Sequence, residues 1–266
     1  MRKEIWAENP TSTPLLHGRE PSDEEVRAFV QSMPAHYRGY DSETVRAHAA
    51  IALSRAARRV RLHAFRQLTG GGVAICVVAP DRPGLLSLIA AAMSSHDLDV
   101  MAAQIYTRSL PGGGSEALDL FWLRRRPLAR RPREICPEEL EQVESLLADL
   151  MGGDELAGRM IENTVVDVPR SAPGLTWVRF DEDRDNASVL VVQTYDRPGL
   201  LLTVSRALFC VDVQVVRSEV NTTQGRVLDR FHIIDFDGRP IAPDKRGDIE
   251  AAVLEALENL GRGTPG

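Results

Sequence analysis

Asp81-Arg82-Pro83-Gly84-Leu85-Leu86 and its identical recurrence, Asp196-Arg197-Pro198-Gly199-Leu200-Leu201, hold the residues of this chain best suited to chemistry. Each string lies where an apolar, β-branched run gives way to a helical pattern. Backbone N–H groups at such a helix start, aided by the helix dipole, attract a carboxylate. Gly84 and Gly199 carry no side chain to block approach. The Asp81 and Asp196 carboxylates beside them can accept a hydrogen bond from an ammonium group. A free amino acid carries both groups on one carbon. The structural reading of the same residues is that Asp caps the helix, Pro starts it and Gly allows close packing. Ligand contacts are predicted at Asp81, Arg82, Pro83, Gly84, Leu85 and Gln104, and at Asp196, Arg197, Pro198, Gly199, Leu200 and Glu219. Arg82 and Arg197 read as solvated, with a role at an interface.

Other candidate chemistry fails on context. Gly113-Gly114-Ser115-Glu116-Ala117-Leu118-Asp119 has residue types that hold nucleotide and Mg²⁺. Its glycines fall in a hairpin loop, however, and a metal site needs converging carboxylates. His96-Asp97 is a lone dipeptide without the further ligands that metal hydrolysis requires, and the second copy has Val211-Asp212 there. His17, His36, His48, His63 and His232 form no ligand cluster. No catalytic residue, metal or cofactor is expected.

The repeat defines the elements that position these residues. The offset is 196 − 81 = 115, and it places Val100 on Val215, Ile105 on Val220 and Thr107 on Thr222. Asp119-Leu120-Phe121 matches Asp229-Arg230-Phe231 after five extra loop residues in the first copy. In the second copy, residues 188–195 read as a buried strand and residues 198–209 as a helix with one apolar face. Residues 211–222 and 227–236 read as strands joined at 223–226, and 244–260 as a second helix. The first copy repeats the order at 73–79, 83–95, 98–107, 116–123 and 137–151. An edge strand is predicted before each unit, near 63–67 and 176–181. The alternative is that 160–168 supplies the last strand of the first copy.

The fold expected is α+β, with two ferredoxin-like units, each a four-stranded antiparallel sheet with both helices on one face. A helical extension precedes them. The divisions are 1–59 for the extension, 60–155 for the first unit, 156–174 for a linker and 175–266 for the second unit. Within the extension, Ser22-Asp23-Glu24-Glu25 is a capping-box start for a helix through Gln31. Asp41 or Ser42 caps a longer helix toward Arg59. Its small face of Ala47, Ile51, Ser54 and Ala57 suits packing on a sheet or on another copy.

Net charge −6 argues against general nucleic-acid binding. Two basic runs, Arg55-Arg58-Arg59-Arg61 and Arg124-Arg125-Arg126 with Arg130, Arg131 and Arg133, read as a solvated helix face and a solvated loop. Neither has aromatic residues interleaved for base stacking. Three scattered cysteines fit a reducing compartment, with Cys76 and Cys210 as buried thiols. No stretch approaches a membrane span or a signal peptide. A cytoplasmic protein without membrane contact is expected.

The doubled Asp-Arg-Pro-Gly-Leu-Leu turn, Ala103-Gln104-Ile105-Tyr106-Thr107 and Asp119-Leu120-Phe121, with Ser218-Glu219-Val220-Asn221-Thr222 and Asp229-Arg230-Phe231, resemble the ACT domain. The tandem resembles the C-terminal regulatory end of the bifunctional PII uridylyltransferase/uridylyl-removing enzyme. Val30 to Tyr37 and Ser42 to His48 resemble the segment just before it. The resemblance implies a non-enzymatic regulatory chain that binds an amino acid, glutamine first, in nitrogen or amino-acid control. It also implies pairing of the two units within the chain or between copies, and a downstream protein partner. A transcriptional regulator working through a protein partner, similar to the tandem-ACT repressor of the glycine cleavage system, and a ligand-free interaction module are the alternatives. The copies differ: Pro80, Gln104 and a long Gly-rich hairpin in one, Tyr195, Glu219 and a short hairpin in the other.

Overall fold

Each repeat folds as a ββαββα unit because its apolar runs alternate between strand and helix periods. The computed structural model describes residues 19–126, 134–153, 176–184, 186–219, 222–223 and 226–259. The first unit comprises β1 (Arg61–Gln67), β2 (Val73–Pro80), α3 (Leu85–Ser95), β3 (Leu98–Ser109), β4 (Ser115–Arg125) and α4 (Pro137–Gly152). The second comprises β5 (Trp177–Phe180), β6 (Ser188–Tyr195), α5 (Leu200–Cys210), β7 (Val213–Glu219), β8 (Thr222–Thr223), β9 (Arg226–Asp235) and α6 (Arg246–Asn259). Before them come α1 (Asp23–Ser32) and α2 (Ser42–Arg55). The edge strands therefore precede their units, as β1 and β5 pair antiparallel with β2 and β6. The alternative strand at 160–168 lies outside the described residues.

The two four-stranded sheets join into one. The order is β1-β2-β4-β3-β7-β9-β6-β5, with the short β8 on β9. Read through the repeat, this order is palindromic about the β3–β7 pair, so a pseudo-two-fold axis relates the units. Gln104 pairs with Glu219 at that junction, and 219 − 104 is again 115. Even the irregularities repeat. The β3–β4 register shifts between Val100 and Ala102, and the β7–β9 register between Val215 and Arg217. A bulge that survives duplication at the same position is a built feature.

One apolar core runs across both units beneath the helices, with Ile75, Phe121 and Leu123 of the first continuous with Leu190, Phe231 and Ile233 of the second. A second core lies on the opposite face of the first unit. There Phe29, Tyr37, Ala47 and Ile51 of the extension pack on Ala74, Cys76, Leu118 and Trp122 of the sheet. The capping box at Ser22 and Glu25 is present, and the Asp41 side chain caps α2 at the Thr44 amide. α2 ends at Arg55 rather than Arg59, because Ala56 turns to φ 45°.

Candidate functional site

The repeated string builds a turn rather than a side-chain cap. Both helices begin at the leucine after glycine, not at proline, and Gly84 (φ 79°) and Gly199 (φ 78°) occupy the cap position in the left-handed region. Leu85 N–H donates to the Arg82 carbonyl at 3.2 Å, and Leu200 N–H to the Arg197 carbonyl at 3.3 Å. Proline second and left-handed glycine third is type II turn geometry, which needs glycine for its positive φ. Asp81 and Asp196 therefore do not cap the helices, which corrects the sequence expectation. They stand before the turn and are free to serve contacts beyond their own helix.

Those contacts cross between the units. Two crevices, related by the pseudo-two-fold, form where each turn meets its neighbour. In the first, Asp81, Gly84 and Asp119 of the first unit face Ser205, Phe209 and Gln214 of the second. In the second, Asp196, Gly199 and Asp229 face Ala90, Ser94 and Asp99. The repeat offset carries one lining onto the other. Each crevice is about 20 Å³, space for about one water. At Gly84 a Cβ would lie 2.7 Å from the Phe209 ring, so any larger residue there must push that ring aside as well as hold a left-handed backbone.

The crevices differ in their electrostatics. Arg124 donates to Asp196 at 2.9 Å and to Asp99 at 2.7 Å, locking the second crevice with an ion pair across the units. In the first crevice Gln214 stands where Asp99 stands in the second, and its amide is 3.5 Å from Asp81. Thr107 donates to the other Asp81 oxygen at 3.0 Å. Burial raises the Asp81 carboxyl above its ordinary range, and the Thr107 hydrogen bond lowers it in part. Asp119 is deeply buried and its carboxyl is pushed well up, by burial first and then by the Asp81 charge. Its Oδ1 is buried without a hydrogen-bond partner.

A larger cavity of about 490 Å³ shares the Asp81 end of the first crevice. It is lined by Pro34 and His36 of the extension, by Asp81, Arg82 and Thr107 of the first unit, and by Gln214, Arg217 and His232 of the second. That volume lies in the range of small-molecule sites, and its lining is mostly polar and charged. His36 stacks on Tyr106 at 5.3 Å between ring centroids, which holds the extension against the cavity wall.

Of the predicted residues, the structure brings Asp81, Arg82 and Pro83 to this cavity, and Gly84 and Leu85 to the adjoining crevice. Asp196, Gly199 and Leu200 line the second crevice. Pro198 lies in its turn. The arginines dock on helix ends: Arg82 donates to the Met151 carbonyl at 3.3 Å and Arg197 to the Leu257 carbonyl at 2.8 Å. Arg197 is buried, so its solvated reading is overturned, because the C-terminal carbonyls of α4 and α6 attract a cation. Gln104 and Glu219 sit at the junction of the sheets, where the Gln104 carbonyl accepts from Tyr106 at 2.8 Å and from Tyr40.

The basic runs are corrected as well. Arg124 and Arg125 belong to β4, and Arg125 is buried against Glu139, which accepts at 2.7 Å. Arg55 and Arg108 both engage the buried Glu116, Arg61 engages Glu144 at 3.1 Å, and Arg59 donates to the Ala148 carbonyl at 3.2 Å. Acidic partners on neighbouring elements turn Arg55, Arg61, Arg124 and Arg125 into joints, while Arg58 and Arg59 are exposed as expected. Arg130, Arg131 and Arg133 lie outside the described residues. Cys76 is buried as expected, whereas Cys210 is exposed because it ends α5 on its outer face. Sequence reasoning missed Phe209, Gln214, Arg217 and His36. The offset from Asp99 to Gln214 was the one available signal.

No protein-family model matches the chain. Several curated relatives share one name. The bifunctional uridylyltransferase/uridylyl-removing enzyme of Rhodospirillum rubrum is 31% identical over 245 residues, covering 90% of this chain and 25% of the relative. That of Nitrobacter winogradskyi is 28% identical, covering 90% and 26%, and that of Gluconobacter oxydans 26% identical, covering 94% and 26%. This chain resembles one part of that enzyme. The match agrees with the resemblance to its C-terminal regulatory region, and the chain spans about a quarter of the length of the relatives it matches. Among solved structures, a trimeric bacterial microcompartment shell protein, PduB, aligns with a TM-score of 0.22 at 9% identity, too distant to carry an argument. Among the described residues no helix is long and apolar enough to cross a membrane, and no group of three His, Cys, Asp or Glu side chains is placed to hold a metal.

Proposed function

We propose that the chain is a non-catalytic regulatory protein that binds a free amino acid where the Asp81 turn of the first unit meets the second unit. The reading rests on one observation. The 490 Å³ cavity has the half-buried Asp81 carboxylate on one side and Arg217 and His232 of the other unit among its walls. An amino acid seated there places its ammonium on Asp81 and its carboxylate toward the second unit. Both units then touch one ligand, so binding favours their closed arrangement over any in which they part. The second crevice, already locked by Arg124, acts as a fixed joint. The resemblance to the regulatory region of the uridylyltransferase supports a place in nitrogen or amino-acid control and makes glutamine the first ligand to try.

A thermal-shift panel of the twenty amino acids on the whole chain tests this. One or a few should raise the melting temperature, by mass action on the folded state. Asp81→Asn should remove the shift, and Asp196→Asn should leave it. No shift from any amino acid at millimolar concentration overturns the proposal.

A further inference from the structure

We infer that the first crevice binds a small monovalent cation, of the size of ammonium or potassium, between Asp81 and Asp119. Asp119 lines this crevice but not the larger cavity, so the inference does not depend on the amino-acid reading. A buried acid without compensation carries it. Asp119 is 1% exposed, and its Oδ1 has no hydrogen-bond partner. A carboxylate so deep is costly unless a cation or a donor meets it. Among the described residues, no arginine or lysine charge acts on Asp81 or Asp119. Arg82 also lines the crevice, but its guanidinium runs to the Met151 carbonyl. Asp119 does feel the Asp81 charge, so the two acids stand close.

The second crevice shows how such acids are answered. The pseudo-two-fold places Asp196 and Asp229 there in the positions of Asp81 and Asp119, and Arg124 gives its guanidinium to Asp196 and Asp99. Through the match of β4 with β9, Arg124 falls on Ile234, and Asp99 falls on Gln214. One crevice thus carries its cation on a side chain, and the other keeps the paired acids without one. Size then selects the ion. The crevice takes one body as large as a water molecule. Mg²⁺ and Ca²⁺ demand about six or more oxygens, and Mg²⁺ keeps several waters, which this lining does not accommodate. Ammonium and potassium are close to water in size. Two hydroxyls can add lone pairs: Thr107, which donates to Asp81 at 3.0 Å, and Ser205, which donates to the Leu202 carbonyl at 3.2 Å.

Thermal denaturation of the full chain in tetramethylammonium chloride, a cation too large for the crevice, provides the baseline. Replacing that salt stepwise by ammonium or potassium chloride at constant ionic strength should raise the melting temperature by about 3 °C and then saturate. Asp119→Asn should abolish the rise. If that variant does not fold, as judged by circular dichroism, wild-type crystals soaked in thallium(I) acetate should show an anomalous peak between Asp81 and Asp119. Equal melting temperatures in all three chlorides, an undiminished rise in Asp119→Asn, or no such peak overturns the inference. A rise that appears only with an amino acid present assigns the crevice to that ligand's ammonium, which overturns the free-ion site and leaves the amino-acid reading standing.

Discussion

At the residue scale, the repeated glycines decide more than the repeated aspartates. Gly84 holds a left-handed conformation that costs an L-residue about 1–2 kcal/mol, and a Cβ there would have to displace the Phe209 ring. Gly84→Ala should therefore destabilise the chain by more than that backbone cost, measured by urea denaturation. Phe209→Ala in the same background should recover part of the loss, with a coupling above about 0.5 kcal/mol. Additive effects would mean that the turn and α5 do not touch in solution. The position of the turn was legible in the sequence because Pro-Gly between a β-branched run and an apolar helical pattern marks the break. Its capping role was misjudged because the Asp stands four residues before the first helical residue and makes no cap hydrogen bond, a distance that residue types do not report. The partners of the turn were hidden, since Phe209, Gln214 and Arg217 come from the other copy and only the joined sheet brings them near.

At the scale of elements, the extension is bound to the first unit by a buried aromatic cluster around His48. Its Nδ1 hydrogen-bonds Tyr37 at 2.8 Å, its ring meets Phe65 edge-on, and its Nε2 is buried without a partner. Burial lowers its pKa from 6.5 to about 3, with Arg66 lowering it further and Asp41 opposing. The unfolded chain therefore binds a proton that the folded chain refuses. The stability this group contributes is complete above pH 6.5 and is lost as pH falls from there toward pH 3. The full loss is on the order of 4–5 kcal/mol. Buried Asp81, Asp99 and Asp119 have raised carboxyls and act in the opposite direction, so His48 shows in a comparison: denaturation midpoints between pH 7 and pH 4 should show the wild type taking up about one proton more on unfolding than His48→Phe. An unchanged slope would place the acid sensitivity elsewhere. The helices themselves were legible from Ser22, Glu25 and Asp41, since caps are local. Which sheet face they cover was not, because Ala47 and Ile51 suit any apolar surface.

Salt bridges show the same limit of local reading. Arg125 in the sequence is one of three consecutive arginines, yet it is buried on β4 with Glu139 at the start of α4. Removing the cation leaves a buried carboxylate, which costs about 3–5 kcal/mol. Arg125→Met should therefore lower stability by roughly that amount in denaturant titrations, and adding Glu139→Leu should restore much of it. A run of like charges reads as solvated only while its acidic partners, here 14 positions away, are unseen.

At the scale of the whole molecule, the duplication has produced one body from two units. Their sheets are hydrogen-bonded through β3 and β7, their helix-side cores are continuous, and Arg124 ties Asp99 to Asp196 across the join. A continuous core couples the unfolding of its parts, so calorimetry should give one transition whose van't Hoff and calorimetric enthalpies agree. Arg124→Gln should weaken that coupling. It leaves the buried Asp99 and the half-buried Asp196 close together without their shared cation, and both sit on the join rather than within one unit. Asp99 is held up by burial and brought down by Arg124, so the substitution also makes the charged form of that acid harder to keep. The expected outcome is a lower first transition and a separation of the two units in the thermogram. The amino acid proposed for the Asp81 cavity would touch both units and should draw the transitions together again. A single unshifted transition in Arg124→Gln would show that the strand pairing and the core hold the units together alone, with the arginine contributing nothing to their coupling.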